Sequence, residues 1–216
     1  MLVFVGTGAI LLTAGLLVVA MAISNGTAEP GRQAISTLQN GNTAERREAA
    51  EVLARFGDQR AAQPLAQALR DQDYLVREIA EQALWSIWHR SGRAEVDARL
   101  QEGIVEMQRR ALAQAVDIFT EVVAMAPDFA EGYNKRATTY YLMQEYEKSI
   151  RDCEATLARN PVHFGALSGA GLNYLELRNF NKALEYFERA IAVNPNMPQI
   201  QQYIEAIKKF LRDQSL

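Results

Sequence analysis

The chain has few side chains whose types and spacing could do catalytic chemistry. Its two histidines, His89 and His163, lie 74 residues apart, and neither belongs to an HExxH motif or to a Cys/His spacing that binds zinc. Cys153 is the single cysteine, so an internal disulfide is excluded. The GxxxxGK[ST] phosphate loop and the GxSxG serine motif do not occur. The sequence therefore predicts a protein that is not an enzyme and that needs no metal or cofactor.

We interpret these three residues as structural. His89 lies near the end of a predicted helix, where a histidine interacts favourably with the helix dipole. His163 lies at the start of another predicted helix. Cys153 aligns with Phe119 and Phe187 in the repeat pattern described below, which favours a small buried core residue over an activated thiol.

Composition excludes some classes of protein and some partners. The 216 residues are 49% hydrophobic and 23% charged, which is typical of a globular chain rather than a disordered one. The formal net charge is −3, so the chain lacks the clustered basic character of a nucleic-acid-binding protein. We expect a folded protein that does not bind DNA or RNA.

The N-terminal segment has a different composition from the rest of the chain. From Leu2 to Ile23 there is no charged residue, and a helix of this length would span roughly 33 Å, close to the thickness of a bilayer core. We predict a membrane anchor at residues 1–23. The sequence does not predict on which side of the membrane the repeats lie, because the first basic residue is Arg32. The alternative is a signal peptide cleaved near Ala20, which would give a periplasmic or secreted protein, although no Lys or Arg precedes the apolar run.

Two series of repeats follow a linker at residues 24–31. The first series has a 31-residue period, which aligns Leu38 with Leu69 and Leu53 with Leu84. The sequence AAEVLARFGDQRAAQPLAQALRD in this series resembles the HEAT-like repeats of phycobilin lyases, with about two units in residues 32–93. Such repeats serve both enzymes and scaffolds, so the resemblance leaves open an accessory lyase-like subunit that attaches a cofactor.

The second series has a 34-residue period, set by Pro127, Pro161 and Pro195. Small and aromatic residues recur in the same register, as in these aligned sets: Gly103, Ala137 and Gly171; Leu112, Tyr146 and Phe180; Ala115, Ser149 and Ala183; Phe119, Cys153 and Phe187. The pattern resembles the tetratricopeptide repeat, with three units in residues 94–197. It departs from that family in the usual tryptophan column, which holds Arg99, Tyr133 and Leu167.

These repeats predict an all-α fold, a right-handed α-solenoid of antiparallel helix pairs with HEAT-like units before tetratricopeptide units, preceded by the hydrophobic N-terminal helix. Because single repeats cannot bury their apolar faces alone, we expect both series to stack into one continuous superhelix. Trp85 and Trp88 are expected to fill the junction between the two repeat geometries. Residues 198–216 have an apolar helical stripe and are predicted to form a capping helix.

The resemblance to tetratricopeptide repeats implies a concave wall formed by the first helix of each pair. In this chain, ten residues would form that wall: Leu100, Ile104, Met107, Asn134, Lys135, Thr138, Tyr141, Ser168, Leu172 and Leu175. Asn134 can bond a peptide backbone, Lys135 can attract a carboxylate, and Tyr141 can pack against an apolar side chain. We therefore expect a protein or peptide partner in this groove, unless the linker or the C-terminal helix covers part of it.

One family of ligands is not predicted. The tetratricopeptide domains that hold the acidic tails of chaperones use lysine, asparagine and arginine side chains from three successive units. At the matching positions this chain has Leu100 and Ile104 in the first unit and Gly165 and Gly169 in the third.

The resulting hypothesis is a non-catalytic scaffold, tethered at a membrane, that binds a peptide or partner helix in its concave groove. A soluble exported adaptor is the alternative if the N-terminal segment is cleaved. Self-association into a homo-oligomer through Leu100, Ile104 and Leu172 remains a further possibility.

Overall fold

The computed structural model describes residues 29–214 of the chain, and those residues form eleven α-helices and one short 3-10 helix, Gln59–Ala61, without any strand. We number the α-helices in chain order. They are α1 Glu29–Asn40, α2 Thr43–Phe56, α3 Ala62–Ala68, α4 Tyr74–Trp88, α5 Ala94–Gln108, α6 Leu112–Met125, α7 Ala130–Leu142, α8 Tyr146–Arg159, α9 Phe164–Glu176, α10 Phe180–Val193 and α11 Pro198–Asp213.

Helices α1 to α4 form the HEAT-like half around a core of leucine, alanine and valine side chains. Helix α2 starts with a capping box, in which Asn42 accepts from the Glu45 amide and Glu45 accepts from the Asn42 amide. Arg46 forms a two-point ion pair with Asp71, with a closest distance of 2.7 Å. This ion pair ties α2 to the loop before α4.

Helices α5 to α10 form three antiparallel pairs, each with the same tight turn. Arg110, Gln144 and Arg178 lie at these turns with φ of 66°, 63° and 57°, and they are spaced 34 residues apart. The amide three residues past the helix end donates to a carbonyl five residues back, for example Glu145 N to Tyr140 O at 2.9 Å. The sequence period is therefore repeated in the backbone conformation.

Glycine allows the two helices of a pair to approach closely. A Cβ atom at Gly103 would lie 2.5 Å from the ring of Phe119, and one at Gly171 would lie 2.5 Å from the ring of Phe187. Both aromatic rings are fully buried. The recurring small and aromatic residues of the sequence thus pack directly against each other, as the repeat pattern predicts.

Helix α11 covers the last pair. Ile200 and Ile207 are buried against Phe187, and the ring of Tyr203 stacks on that of Phe187 with centroids 5.5 Å apart. This packing is consistent with the predicted capping helix, whose bounds of 198–216 stay a prediction.

The two halves do not stack end to end. Helices α4 and α5 do not pack along each other. Instead, Trp88 stacks on His163 and Trp85 lies edge-on to Phe164, with centroids 4.0 and 5.3 Å apart, and Asn196 Nδ2 donates to Leu69 O at 2.8 Å.

The HEAT-like half therefore folds back onto the third tetratricopeptide-like pair, and the predicted continuous superhelix is interrupted between α4 and α5. Gly92, with φ of 80°, lies in the connecting loop. The expectation that Trp85 and Trp88 fill the junction is confirmed, although they do so against a later repeat.

No helix among residues 29–214 is both long and apolar enough to cross a membrane. The longest, α11, has 16 residues, whereas a spanning helix needs about 20. This finding conflicts with the predicted localisation, a protein held at a membrane by one N-terminal helix, and that prediction is wrong. The segment on which it depended, residues 2–23, lies outside the described residues.

Candidate functional site

A cavity of about 200 Å³ opens on the concave side between the second and third tetratricopeptide-like pairs. Helices α7, α8 and α9 supply its walls and floor. Five of the ten residues predicted for the wall line it: Asn134, Thr138, Tyr141, Ser168 and Leu172. We call this cavity the concave groove.

The floor of the concave groove consists of small side chains, which leave the space open. Gly169 lies over Cys153, because a Cβ atom at Gly169 would be 3.5 Å from the sulfur. Ala137 and Ser149 complete the floor. Burial raises the pKa of the Cys153 thiol to about 12, so this sulfur is a neutral packing group at physiological pH.

Asn173 places an unpartnered hydrogen-bond acceptor at the groove. Its Nδ2 donates to Ser149 Oγ at 2.8 Å and to Gly169 O at 2.7 Å, and Ser149 Oγ donates to Ala137 O at 2.8 Å. Its Oδ1 is buried and has no hydrogen-bond partner. Leaving a buried polar group unpaired is unfavourable, so an N–H donor that reached it would bind favourably. The sequence analysis missed Asn173, since Val105 and Thr139 occupy its column in the other repeats.

The walls of the concave groove are partly apolar. Tyr141 is half-buried, and its hydroxyl donates to Glu176 Oε1 at 3.4 Å. Burial, together with the negative charge of Glu176, raises the pKa of Tyr141. Leu172 is half-buried and Thr138 is exposed. The groove therefore offers apolar surface beside hydrogen-bonding groups.

The other five predicted residues lie elsewhere. Leu100 is fully buried in the core between α5 and α6, and Ile104 and Met107 pack partly against the same core. Leu175 packs in the cluster that includes α11. Lys135 Nζ forms an ion pair with Glu131 Oε1 at 3.1 Å.

Glu131 is the centre of a buried polar cluster where the two halves meet. Its Oε2 lies 3.0 Å from Nε2 of His163 and 3.1 Å from Nδ2 of Asn134, and its Oε1 lies 3.4 Å from Nε2 of His89. Burial alone would raise the pKa of Glu131, but the hydrogen bond from His163 Nε2 and the positive charge of Lys135 lower it to about 2. Glu131 is therefore an anion in the fold.

His163 has a defined tautomer when its ring is neutral. Its Nδ1 accepts from the Ala166 amide at 3.1 Å and so caps the start of α9, which leaves the proton on Nε2, facing Glu131. The prediction of a structural histidine at a helix start is confirmed. The sequence did not indicate that His89 and His163 meet at one carboxylate, since no periodic pattern connects them.

Helix α4 closes one end of the concave groove. A Cβ atom at Gly165 would lie 2.6 Å from the Trp85 ring, so the indole rests on the backbone of this residue. Gly165 also lines the groove. The wall is thus covered in part by the chain itself, through the HEAT-like half rather than through the predicted linker or C-terminal helix.

None of the clusters of His, Cys, Asp and Glu among residues 29–214 has an arrangement that could hold a metal ion. The Glu131 cluster instead pairs its carboxylate with nitrogen donors. The arrangement of the described residues supports binding through shape, apolar contact and hydrogen bonds.

The paired helices and their concave groove define a helical-repeat protein. A family model of HEAT repeats matches residues 32–85, and a family model of the tetratricopeptide repeat matches residues 164–197. The chain is therefore a tetratricopeptide repeat protein with N-terminal HEAT-like repeats, as the sequence analysis predicted.

Known proteins resemble parts of the chain. A tetratricopeptide repeat-containing protein of Rhizobium etli is 34% identical over 108 residues, which cover 50% of this chain and 53% of the relative. The heat-shock protein cognate co-chaperone sgt12 of Aspergillus fumigatus is 28% identical over 102 residues, covering 47% of this chain and 30% of the relative. The chain thus spans about half the length of the first relative and less of the second.

A solved structure shares the fold of the tetratricopeptide half. The crystal structure of the Sgt2 tetratricopeptide domain from Aspergillus fumigatus superposes with a TM-score of 0.54 at 24% identity, covering 57% of this chain and 83% of that chain. At this identity the likeness concerns the fold alone.

Proposed function

We propose that the chain is a non-catalytic protein-interaction module that binds an extended peptide segment of a partner in the concave groove. The observation that carries this proposal is the cavity itself, where the polar side chains of Asn134, Thr138 and Ser168 lie beside the half-buried Tyr141 and Leu172. A peptide supplies main-chain hydrogen-bonding groups for the polar side chains and an apolar side chain for the walls. The cavity of about 200 Å³ accommodates one such side chain rather than a cofactor.

The relatives support a peptide partner, but the residues of this chain favour a different binding mode from an acidic-tail clamp. One relative is by name a co-chaperone of a heat-shock cognate protein. In this chain Leu100 is fully buried, Trp85 covers Gly165, and Gly169 has no side chain with which to hold a carboxylate. We therefore propose that affinity comes from apolar contact and main-chain hydrogen bonds in the groove.

The test uses the full chain as bait in affinity capture, beside the variant Thr138→Glu/Tyr141→Ala. Both residues face the groove, and neither belongs to the buried repeat core. Loss of a central aromatic contact costs about 2 kcal/mol in a typical interface, which is roughly a 30-fold loss of affinity. We expect a partner that the unmodified chain retains and this variant does not.

The matched control is Thr120→Glu/Tyr74→Ala, which makes the same chemical changes at exposed positions outside the groove. Circular dichroism establishes that both variants keep their helix content. If the groove variant and the control retain the same proteins in the same amounts, the concave groove is not the binding surface and the proposal is refuted.

A further inference from the structure

A second, larger cavity of about 610 Å³ lies where the HEAT-like half meets the loops between the tetratricopeptide pairs. One side is formed by the 3-10 helix and the loop after α4, and the other by the loops after α6 and α8. No residue that lines this cavity lines the concave groove. We call it the junction cleft.

Four arginines from three segments of the chain line the junction cleft. Arg60 lies in the 3-10 helix, Arg90 and Arg93 lie in the loop between α4 and α5, and Arg159 ends α8. Asp128 is the only acidic side chain in the lining among the described residues. This concentration of positive charge stands out in a chain whose formal net charge is −3.

Two of these guanidinium groups are held by neutral oxygen atoms. Arg90 donates to Ala54 O at 2.7 Å and to Arg55 O at 2.5 Å. Arg159 donates to Pro127 O at 2.5 Å and to the hydroxyl of Tyr133 at 2.9 Å. Arg90 also donates to Ser86 O at 3.2 Å and Arg159 to Ala155 O at 2.8 Å. These bonds orient the two groups without neutralising them.

Burial makes the charge of Arg90 costly. Burial lowers the pKa of Arg90, and the negative charges of Asp97 and Asp58 offset this effect only in part. The outer arginines are each paired with an exposed carboxylate, Arg60 with Asp58 at 2.6 Å and Arg93 with Glu95 at 2.8 Å. Among the described residues of the cleft, Arg90 and Arg159 are therefore the two arginines without a carboxylate in direct contact. An anion placed between these groups would therefore be attracted and would relieve an unfavourable burial.

The rest of the lining is largely apolar and includes Met125, Phe129 and Pro161. We infer that the junction cleft binds an acidic peptide segment of a partner protein, with carboxylates on its arginines and an apolar side chain against Met125 and Phe129. The mixed lining favours a peptide over an inorganic anion, which would leave the apolar surface uncovered. The formal net charge of −3 does not favour a nucleic acid, which requires an extended basic face.

The test is fluorescence anisotropy of the labelled peptide EELEELEE with the full chain, beside the peptide QQLQQLQQ, which keeps the length and the leucines. We expect EELEELEE to bind at least tenfold more tightly, and its affinity to fall as NaCl is raised. The cleft variant is Arg60→Gln/Arg93→Gln, chosen because both side chains are more than half exposed. Arg93 also donates to Met125 O at 2.7 Å, so circular dichroism establishes that the variant keeps its helix content. We expect it to bind EELEELEE at least tenfold more weakly.

The matched control is Arg109→Gln, an exposed arginine paired with Glu106 that lies outside the cleft, and it should bind EELEELEE as the unmodified chain does. The groove variant Thr138→Glu/Tyr141→Ala should also keep this binding, which separates the cleft from the proposed function. Equal binding of the two peptides, equal losses in the cleft variant and the control, or no binding of EELEELEE at about 1 mM would each overturn the inference.

Discussion

Replacing Glu131 by Gln tests whether a buried carboxylate stabilises the junction between the two halves. The side chain is only 1% exposed, and three nitrogen-bearing neighbours, Lys135, His163 and Asn134, lie within 3.1 Å of its oxygens. Gln keeps the shape of the side chain and removes its charge. The variant therefore isolates the contribution of the anion.

The magnitude follows from the two pKa values. The pKa of Glu131 is about 2 in the fold, against an ordinary value of 4.5. Because the folded value is the lower one, the stabilisation is fully present above about pH 4.5 and is lost as the pH falls towards 2. The difference corresponds to about 3 kcal/mol, of which about 2 kcal/mol disappears between pH 5 and pH 3.

The assay is urea unfolding of the full chain at pH 5 and at pH 3, followed by circular dichroism. The unmodified chain should lose about 2 kcal/mol more free energy of unfolding than Glu131→Gln. Glu147→Gln, at an exposed position on α8, should behave as the unmodified chain. Equal losses in the unmodified chain and Glu131→Gln would refute the stabilising role of the carboxylate.

Three further variants or measurements test particular contacts. Gly165→Ala should lower the free energy of unfolding by about 1–3 kcal/mol, because its Cβ would lie 2.6 Å from the Trp85 indole. The control Gly169→Ala, whose nearest contact would be 3.5 Å away, should be neutral or stabilising. Equal effects of the two variants on chemical denaturation would contradict the clash. Gln144→Gly should raise the free energy of unfolding by up to about 1 kcal/mol, because residue 144 has a φ of 63°, which glycine adopts more easily. Gln101→Gly, inside helix α5, should lower the free energy of unfolding by a similar amount. If both variants lower it, the positive φ at residue 144 does not cost stability. Cys153 should react with Ellman's reagent only after unfolding in urea, since its thiol pKa is about 12, and rapid labelling of the native chain would disprove its burial.

The helix pairs were predictable because each contact inside a pair repeats every 34 residues. Gly103 with Phe119 and Gly171 with Phe187 are near in sequence and identical in geometry, so the sequence pattern contains them directly. The boundaries at proline follow from the missing amide hydrogen of that residue. Five residues that line the concave groove came from the resemblance to tetratricopeptide repeats, which implies that the first helix of each pair forms the concave wall.

The junction was not predictable in this way. The contact between Trp88 and His163 joins residues 75 apart, occurs once, and belongs to neither period. The role of Glu131 could not be predicted either, because the other two repeats have Asp97 and Gly165 at the equivalent position and so show no recurring residue type. Leu100 was assigned to the groove by its column, but Val96 and Phe129 enclose it in the core of the first pair. Single contacts between repeats of different type depend on how the two halves meet, which neither repeat pattern describes.

The docking of α4 on α9 has consequences for both cavities. It closes one end of the concave groove through Trp85, and it brings Arg60 and Arg90 opposite Arg159 in the junction cleft. A substitution that weakens the docking should therefore impair both sites, even though they share no lining residue. Gly165→Ala should weaken EELEELEE binding although residue 165 lies outside the cleft, while Gly169→Ala should leave it unchanged. Unchanged peptide binding in Gly165→Ala, together with a lowered stability, would mean that the arginines bind the peptide without the second half of the cleft.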